Sequence, residues 1–359
     1  MRSVQVISAI LCVFSLVTSL MLCAYCSDDA LIYAKSLKTS QSVSALKTAA
    51  EPTAGIKDST KTLADGIADS ADLNSSEKTA DKSDVSSKSD TAKGKEKKLG
   101  KVYGQFFSPY TANTAYNNTF VNNQSGVSIN IKQLLSSYKS TVAVGDAKPQ
   151  VLIMHTHATE NYTKNDGYYT KSDLERTGKA DNSVIGVGNK LEAVLKKSGI
   201  SVLHDKTLHD SPSYNGSYSR SAVTVSKYLK KYPSISVVID LHRDAIGDGD
   251  DLVKPVTEIK GKKAAQVMIC VGSNTGTVDY FPNWKENLKL GVKLQQTMEV
   301  LYPGLARALF LARDRCYNQN LSKGSVIIEF GTNGNTFDEA QYSAQLVGNA
   351  MVTMFKNKS

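Results

Sequence analysis

Cysteine, proline and tryptophan are scarce in this 359-residue chain, which holds five, eight and one of them. Three of the cysteines, Cys12, Cys23 and Cys26, lie in the N-terminal apolar run, leaving only Cys270 and Cys316 beyond it. Two cysteines in some 330 residues cannot staple a disulfide scaffold, and these two form no Cys-x-x-Cys pair of the kind a thiolate zinc finger uses. Only one apolar run is long enough to cross a bilayer, which excludes a polytopic membrane protein. Aromatics are missing from one region in particular. Residues 27–100 contain a single one, Tyr33, against 15 tyrosines after residue 100.

That apolar run, Val4 to Cys26, is 23 residues long and carries no formal charge. At about 1.5 Å per residue it spans the roughly 30 Å hydrocarbon core. Arg2 precedes it and Asp28 and Asp29 follow, so the positive-inside rule leaves the N-terminus in the cytosol and the rest outside. A cleaved signal peptide is the alternative, because Ala24-Tyr25-Cys26 loosely resembles a small-residue cleavage site. The length of the run favours an uncleaved single-pass anchor over residues 1–26. Residues 27–100 carry 12 Lys and 12 Asp/Glu among Ser, Thr and Ala. Such a stretch buries too little apolar surface to offset chain entropy and reads as a disordered linker with a mean reach of about 45–50 Å. Most of the net charge of +9 therefore falls in residues 101–359.

Residues 101–359 have a different character. Val127 to Leu135 reads as a strand or as a strand leading into a short helix. Short β-branched runs at Val151 to Met154, Ile235 to Leu241, Ala265 to Val271 and Val326 to Ile328 have the composition of strands buried on both faces. Gly199 to Leu203 starts another strand. Between them Val184, Val187, Leu191, Val194 and Leu195 share one helical face, with Gly199 as the stop. Arg220 to Tyr232 and Leu290 to Leu301 read as helices ended by Pro233 and Pro303, and Thr336 with Glu339 forms a capping box opening a last helix to about Met354. Strand alternating with helix predicts an α/β fold: a single catalytic domain whose mixed, mostly parallel sheet is covered by helices, preceded by one transmembrane helix and a disordered tether.

The chemistry gathers where the apolar runs end. The first runs into His155-Thr-His157-Ala-Thr-Glu160, the second ends in Asp240-Leu-His242-Arg243-Asp244, and the third in Glu329-Phe-Gly-Thr-Asn333. If the three strands are parallel neighbours, these clusters converge at one edge, where open α/β sheets carry their sites. Two imidazoles and a carboxylate suit a catalytic zinc ion, although the same donors also accept manganese or iron, and a further carboxylate can act as proton acceptor. A carboxylate directly after Val-Ile-Ile, as at Glu329, must be paired or functional. Arg243 can clamp a substrate carboxylate or pair with Asp244 or Glu160. His155 and His157 face the same way on a continuing strand and need not in a turn. His204 and His209 read as residues that shape a loop, Cys270 as buried and inert, and Cys316 lacks a histidine at triad spacing.

Several segments, in order, resemble one family. His155-Thr-His-Ala-Thr-Glu-Asn-Tyr162, Leu208-His-Asp-Ser-Pro-Ser-Tyr-Asn-Gly-Ser-Tyr-Ser-Arg-Ser221, Asp240-Leu-His-Arg-Asp244, Cys316-Tyr-Asn-Gln-Asn-Leu-Ser322 and Ile328-Glu-Phe-Gly331 are similar to stage II sporulation protein P, over roughly residues 120–356. The resemblance implies an amidase-like fold and a membrane-anchored, zinc-dependent N-acetylmuramoyl-L-alanine amidase with endopeptidase activity as well. It implies action on peptidoglycan in septal thinning and engulfment, outside the cytoplasm at the sporulation septum, with stage II sporulation proteins D and M as partners. It further implies His157 and His242 as metal ligands and Glu329 as the catalytic carboxylate. The wider amidase group draws its third ligand from a Glu opening the helix after the first strand. Here that region reads Ala180-Asp181-Asn182, so Glu160 is the preferred third ligand and Asp181 the alternative. Tyr214, Tyr218 and Tyr317 can stack on sugar rings or serve packing. A metallopeptidase acting on crosslinks, and a non-catalytic wall-binding scaffold, are the rival functions. Scattered basic residues and the outside topology argue against nucleic acid.

Overall fold

The structure is a computed structural model and describes residues 97–357 except 249, 277 and 279. The expected anchor and nearly all of the expected linker lie outside the described residues. Among the described residues no helix is long and apolar enough to cross a membrane. In chain order the strands are β1 (Lys98–Gln105), β2 (Thr114–Tyr116), β3 (Thr119–Asn123), β4 (Val151–Met154), β5 (Tyr168–Thr170), β6 (Val202–His204), β7 (Val237–Asp244), β8 (Gly247–Asp248), β9 (Asp251–Ile259), β10 (Lys262–Ala265), β11 (Val267–Gly272), β12 (Leu309–Ala312) and β13 (Ser325–Thr332). The helices are α1 (Ile131–Ser137), α2 (Lys171–Leu174), α3 (Val184–Lys197), α4 (Ser217–Lys231), α5 (Trp284–Leu301) and α6 (Phe337–Lys356). Lys98, Leu99 and Gly100, expected in the linker, belong to β1. Val127 to Leu135 is helical from Ile131 onward, with Asn130 as the N-cap accepting from the Gln133 amide, and residues 127–130 form no strand.

The larger sheet has the order β2-β3-β12-β11-β13-β7-β4-β6. The ladders β13/β7, β7/β4, β4/β6, β11/β12 and β12/β3 are parallel, whereas β11/β13 and β2/β3 are antiparallel. The three apolar runs singled out in the sequence are thus consecutive and parallel as β4, β7 and β13. The fourth, in β11, is buried but runs the other way. A smaller sheet, β10-β9-β1-β5 with β8 on β9, was not foreseen. Gln266 alone separates β10 from β11 and so joins the two sheets. Its side chain bonds the backbone of Phe107 and Gly304.

Alternation along the strands sets two layers of core. Val151, Ile153, Val237, Ile239, Leu241, Val326, Ile328 and Phe330 face α3, α5 and α6, while Leu152, Met154 and Val238 face α4 with Val225 and Ile235. Each such side chain, fully buried, stabilises the fold by about 1.5–3 kcal/mol before entropy is counted. Gly199, at φ +81°, ends α3 in the left-handed region as expected. The Thr336–Glu339 capping box is present, and the same Glu339 accepts at 2.6 Å from the buried Lys254 ammonium of β9, which ties α6 to the small sheet.

Candidate active site

Register decides which polar groups meet. Ile327 pairs with Asp240 and Glu329 with His242, while Met154 pairs with Asp240. Paired residues point to the same face of a sheet, so Asp240, His242 and Glu329 stand together on the α4 face near the carboxyl ends of their strands. The chain leaves β4 in a turn, which breaks the two-residue periodicity and sends His155 and His157 apart. Both are buried.

His155 turns toward α3. Its Nδ1 donates to the Leu241 carbonyl at 2.8 Å, and its Nε2 lies 2.9 Å from Nε2 of His204, whose Nδ1 is 3.2 Å from Glu192. Burial first, then the neighbouring His204, lowers its pKa to about 3. Gly188 makes room for this pair, since a Cβ there would sit 2.7 Å from His204 Nε2. His209 donates from Nδ1 to the His155 carbonyl at 2.8 Å. His155, His204 and His209 therefore shape the turn after β4, whereas His204 and His209 were expected to shape a loop of their own segment, Leu203 to Asp210.

His157 goes to the α4 face. Its ring lies 5.3 Å from that of His242, edge to face, and its Nδ1 is 3.3 Å from Ser217 Oγ at the start of α4. Tyr214 stacks on it at 4.2 Å and 8°, and Tyr218 meets it edge-on at 5.7 Å. Tyr317 packs in turn against Tyr218 at 6.0 Å.

His242 stands between carboxylates. Its Nε2 is 2.8 Å from Asp240 Oδ1, outside hydrogen-bonding geometry, and its Nδ1 is 3.5 Å from Glu160 Oε2. Burial opposes its charge, but Asp240 and Glu160 outweigh burial and raise its pKa well above 6.5. Burial likewise pushes the Glu160 carboxyl up, and the combined pull of His242, Arg243 and His157 holds it at about 2. Asp240 is fixed by the Thr156 amide at 2.8 Å and the Thr156 hydroxyl at 2.6 Å, so it anchors the turn after β4 as well as His242.

Glu329 is half-buried, and its Oε2 is closed to solvent with no hydrogen-bond partner. Burial pushes its pKa up to about 8; His242 and Arg307 oppose the rise, while Asp244 and Glu160 add to it. A carboxyl so placed gives and takes a proton near neutrality. Arg307 bridges to Asp244 at 2.8 Å. The Arg243 guanidinium turns to the Asn161 carbonyl at 3.0 Å, and its backbone N–H donates to Glu160 Oε2 at 3.1 Å, so its part in the site runs through Glu160.

The structure therefore brings His157, Glu160, His242, Arg243 and Glu329 together. Asp181 is exposed in a one-turn 3-10 helix, and no interaction links its side chain to these residues. The sequence did not mark Asp240 as a structural hub, nor Tyr214 as a partner of His157; a carboxylate two residues before His242 on one strand face was the available signal. Cys270 is buried with its thiol pKa pushed up by burial, and Cys316 donates to Asn320 with its pKa likewise raised.

No three His, Cys, Asp or Glu side chains among the described residues converge closely enough to hold a metal ion. The donor chemistry nonetheless suits one. Two buried carboxyls, Asp240 and Glu160, and the half-buried Glu329 surround the imidazoles of His157 and His242, and the Arg243 guanidinium is turned to the Asn161 carbonyl. That excess of acceptors favours a cation.

These features define an α/β protein with a histidine–carboxylate site at the carboxyl edge of three parallel strands. The family model of stage II sporulation protein P (SpoIIP) matches residues 31–352. The chain belongs to that family, and the match starts earlier than the resemblance at roughly residue 120. It is 31% identical over 221 residues to the stage II sporulation protein P of Bacillus subtilis (strain 168), covering 59% of this chain and 52% of that protein. The chain thus spans about half the length of the relative it matches. Among solved structures, similarity extends to the CwlD amidase from Clostridioides difficile in complex with the GerS lipoprotein, at TM-score 0.36 and 12% identity over 58% of this chain and 98% of that one. It also extends to an N-acetylmuramoyl-L-alanine amidase from Clostridium difficile 630, at TM-score 0.35 and 14% identity over 60% and 100%.

Proposed function

We propose that this chain is a sporulation peptidoglycan hydrolase that cleaves the amide between N-acetylmuramic acid and L-alanine of the stem peptide. The observation that carries the reading is Glu329: a carboxyl of high proton affinity, with an unpartnered Oε2, beside a paired His157 and His242 in a member of this family. His157, Glu160 and His242 would hold zinc. Bound zinc supplies Lewis acidity, making a nearby water more acidic and the scissile carbonyl more electrophilic. Glu329 accepts the proton of the attacking water and returns it to the departing alanine nitrogen. Asp240 and the Arg243 amide keep His242 and Glu160 in place while this happens. Endopeptidase cleavage of crosslinks is assigned to the same centre, because it too is amide hydrolysis. The apolar run and linker are proposed to tether the domain outside the cytoplasmic membrane at the sporulation septum, with stage II sporulation proteins D and M as partners.

The full chain, incubated with purified peptidoglycan with and without a chelator, tests this by product mass. Stem peptides released from bare glycan, and lost on chelation, are expected. Cut crosslinks with peptides left on the glycan would move the assignment to an endopeptidase. Bound but uncut polymer would favour a scaffold.

A further inference from the structure

The stack over His157 has no role in the mechanism above. The Tyr214 ring lies on the imidazole at 4.2 Å and 8°, and the Arg176 guanidinium lies over Tyr214 at 4.9 Å. Both His157 and Arg176 thus engage the tyrosine ring. The stack is also built from below. Arg176 donates to Asp210 at 2.9 Å and to Thr159 Oγ1 at 2.8 Å, and Asp210 accepts the Thr159 hydroxyl at 2.6 Å. Thr159 is in the same turn as His157, two residues on. The loop that carries Tyr214 is held as well: the Arg220 guanidinium donates to the carbonyls of Ser213 and Asn215 on either side of it. Tyr214 is 43% exposed.

We propose that Tyr214 and Arg176 are positioning residues, a clamp that fixes the plane of the His157 imidazole while Ser217 engages Nδ1, so that Nε2 is presented to the metal or substrate. The proposal deepens the reading of this site as a zinc hydrolase and rests on it for its catalytic consequence. Groups that orient a ligating imidazole typically change metal affinity or activity about 10–100-fold when removed.

The test compares the full chain with Tyr214→Leu, Tyr214→Phe and Arg176→Met, each checked for an unchanged melting transition. Zinc affinity is measured by competition with a chromophoric chelator, kcat and KM on peptidoglycan, and the His157 ring signals by NMR of histidine-labelled protein. With five histidines the spectrum is assignable through His157→Gln. Tyr214→Leu is expected to weaken zinc about 10–100-fold and lower kcat with KM unchanged. Its His157 ring protons should shift downfield as the ring current is lost. Tyr214→Phe should match the parent in all three, and Arg176→Met should fall between. A Tyr214→Phe as damaged as Tyr214→Leu would place the role in the hydroxyl, and a change confined to KM would place Tyr214 against substrate; either overturns the clamp. Should the parent chain neither bind zinc nor cleave, the hydrolase reading fails on its own. The NMR comparison still decides the clamp, because an unmoved His157 signal in Tyr214→Leu refutes the stack.

Discussion

Glu329→Gln should lower activity in zinc and make the metal-free protein, around neutral pH, less pH-sensitive in stability than the parent. Burial raises the Glu329 pKa from 4.5 in an open chain to about 8 in the fold. The folded state then holds a proton that the unfolded chain releases. The group's favourable contribution is whole below about pH 4.5 and is lost as pH rises through 8. At pH 7 the loss is on the order of 3 kcal/mol, from roughly two and a half pH units at about 1.4 kcal/mol each. A glutamine does not titrate and does not suffer it. Its amide brings an unmet hydrogen bond of its own, at about 1–3 kcal/mol, which is independent of pH. The pH dependence of the difference is therefore the discriminating quantity. Urea unfolding with chelator present, from pH 4.5 to 8, should show the parent losing stability relative to the variant by about 3 kcal/mol at pH 7. Activity in zinc should fall about 10²–10⁴-fold, the usual worth of a general base. Parallel stability profiles would refute the reasoning, because they would mean that Glu329 is ionised and paired within the fold.

Other positions yield further outcomes. Gly188→Ala puts a Cβ 2.7 Å from His204 Nε2 and 3.1 Å from His155, so overpacking should cost about 1–3 kcal/mol in denaturant melts. Lys254→Met leaves the Glu339 carboxylate buried without its 2.6 Å partner and should destabilise by about 3–5 kcal/mol in the same assay, more than any surface lysine variant. The Asp166 carboxyl, bonded by Lys254 and Lys263, has its pKa lowered to about 2, so its contribution is present above pH 3.8 and lost as pH falls toward 2. Half-exposed, it should add only a shallow slope to acid unfolding, and salt should flatten that slope.

The half of the fold that carries chemistry was legible because strands buried on both faces need unbroken β-branched runs, and β4, β7 and β13 have them. The polar residues that follow such runs then mark the sheet edge. Strand direction left no comparable trace, so nothing in Ala265 to Val271 distinguished an antiparallel β11. The small sheet was missed for a related reason. In Lys-Leu-Gly-Lys-Val-Tyr-Gly-Gln, β1 has one buried side chain, Val102, and is held by pairing with β9 some 150 residues away. The long-range pairing, not local pattern, makes it a strand. Within the site, the strand-end clusters marked His155, His157, Glu160, His242 and Glu329, and the family resemblance singled out the last four; neither foresaw the divergence of His155 from His157, which depends on where β4 ends. Tyr214 could not be assigned between sugar stacking and packing, because only the fold brings Arg176 to its ring.

Metal stoichiometry tests the central claim most directly. The full chain and its His157→Ala, Glu160→Ala, His242→Ala and Glu329→Gln variants would be loaded with zinc, freed of excess by dialysis and analysed for bound metal. The account predicts one zinc ion per parent chain and per Glu329→Gln chain, and well under one in the three ligand variants. Metal retained in all of them, or absent from the parent while peptidoglycan is still cleaved, would contradict it.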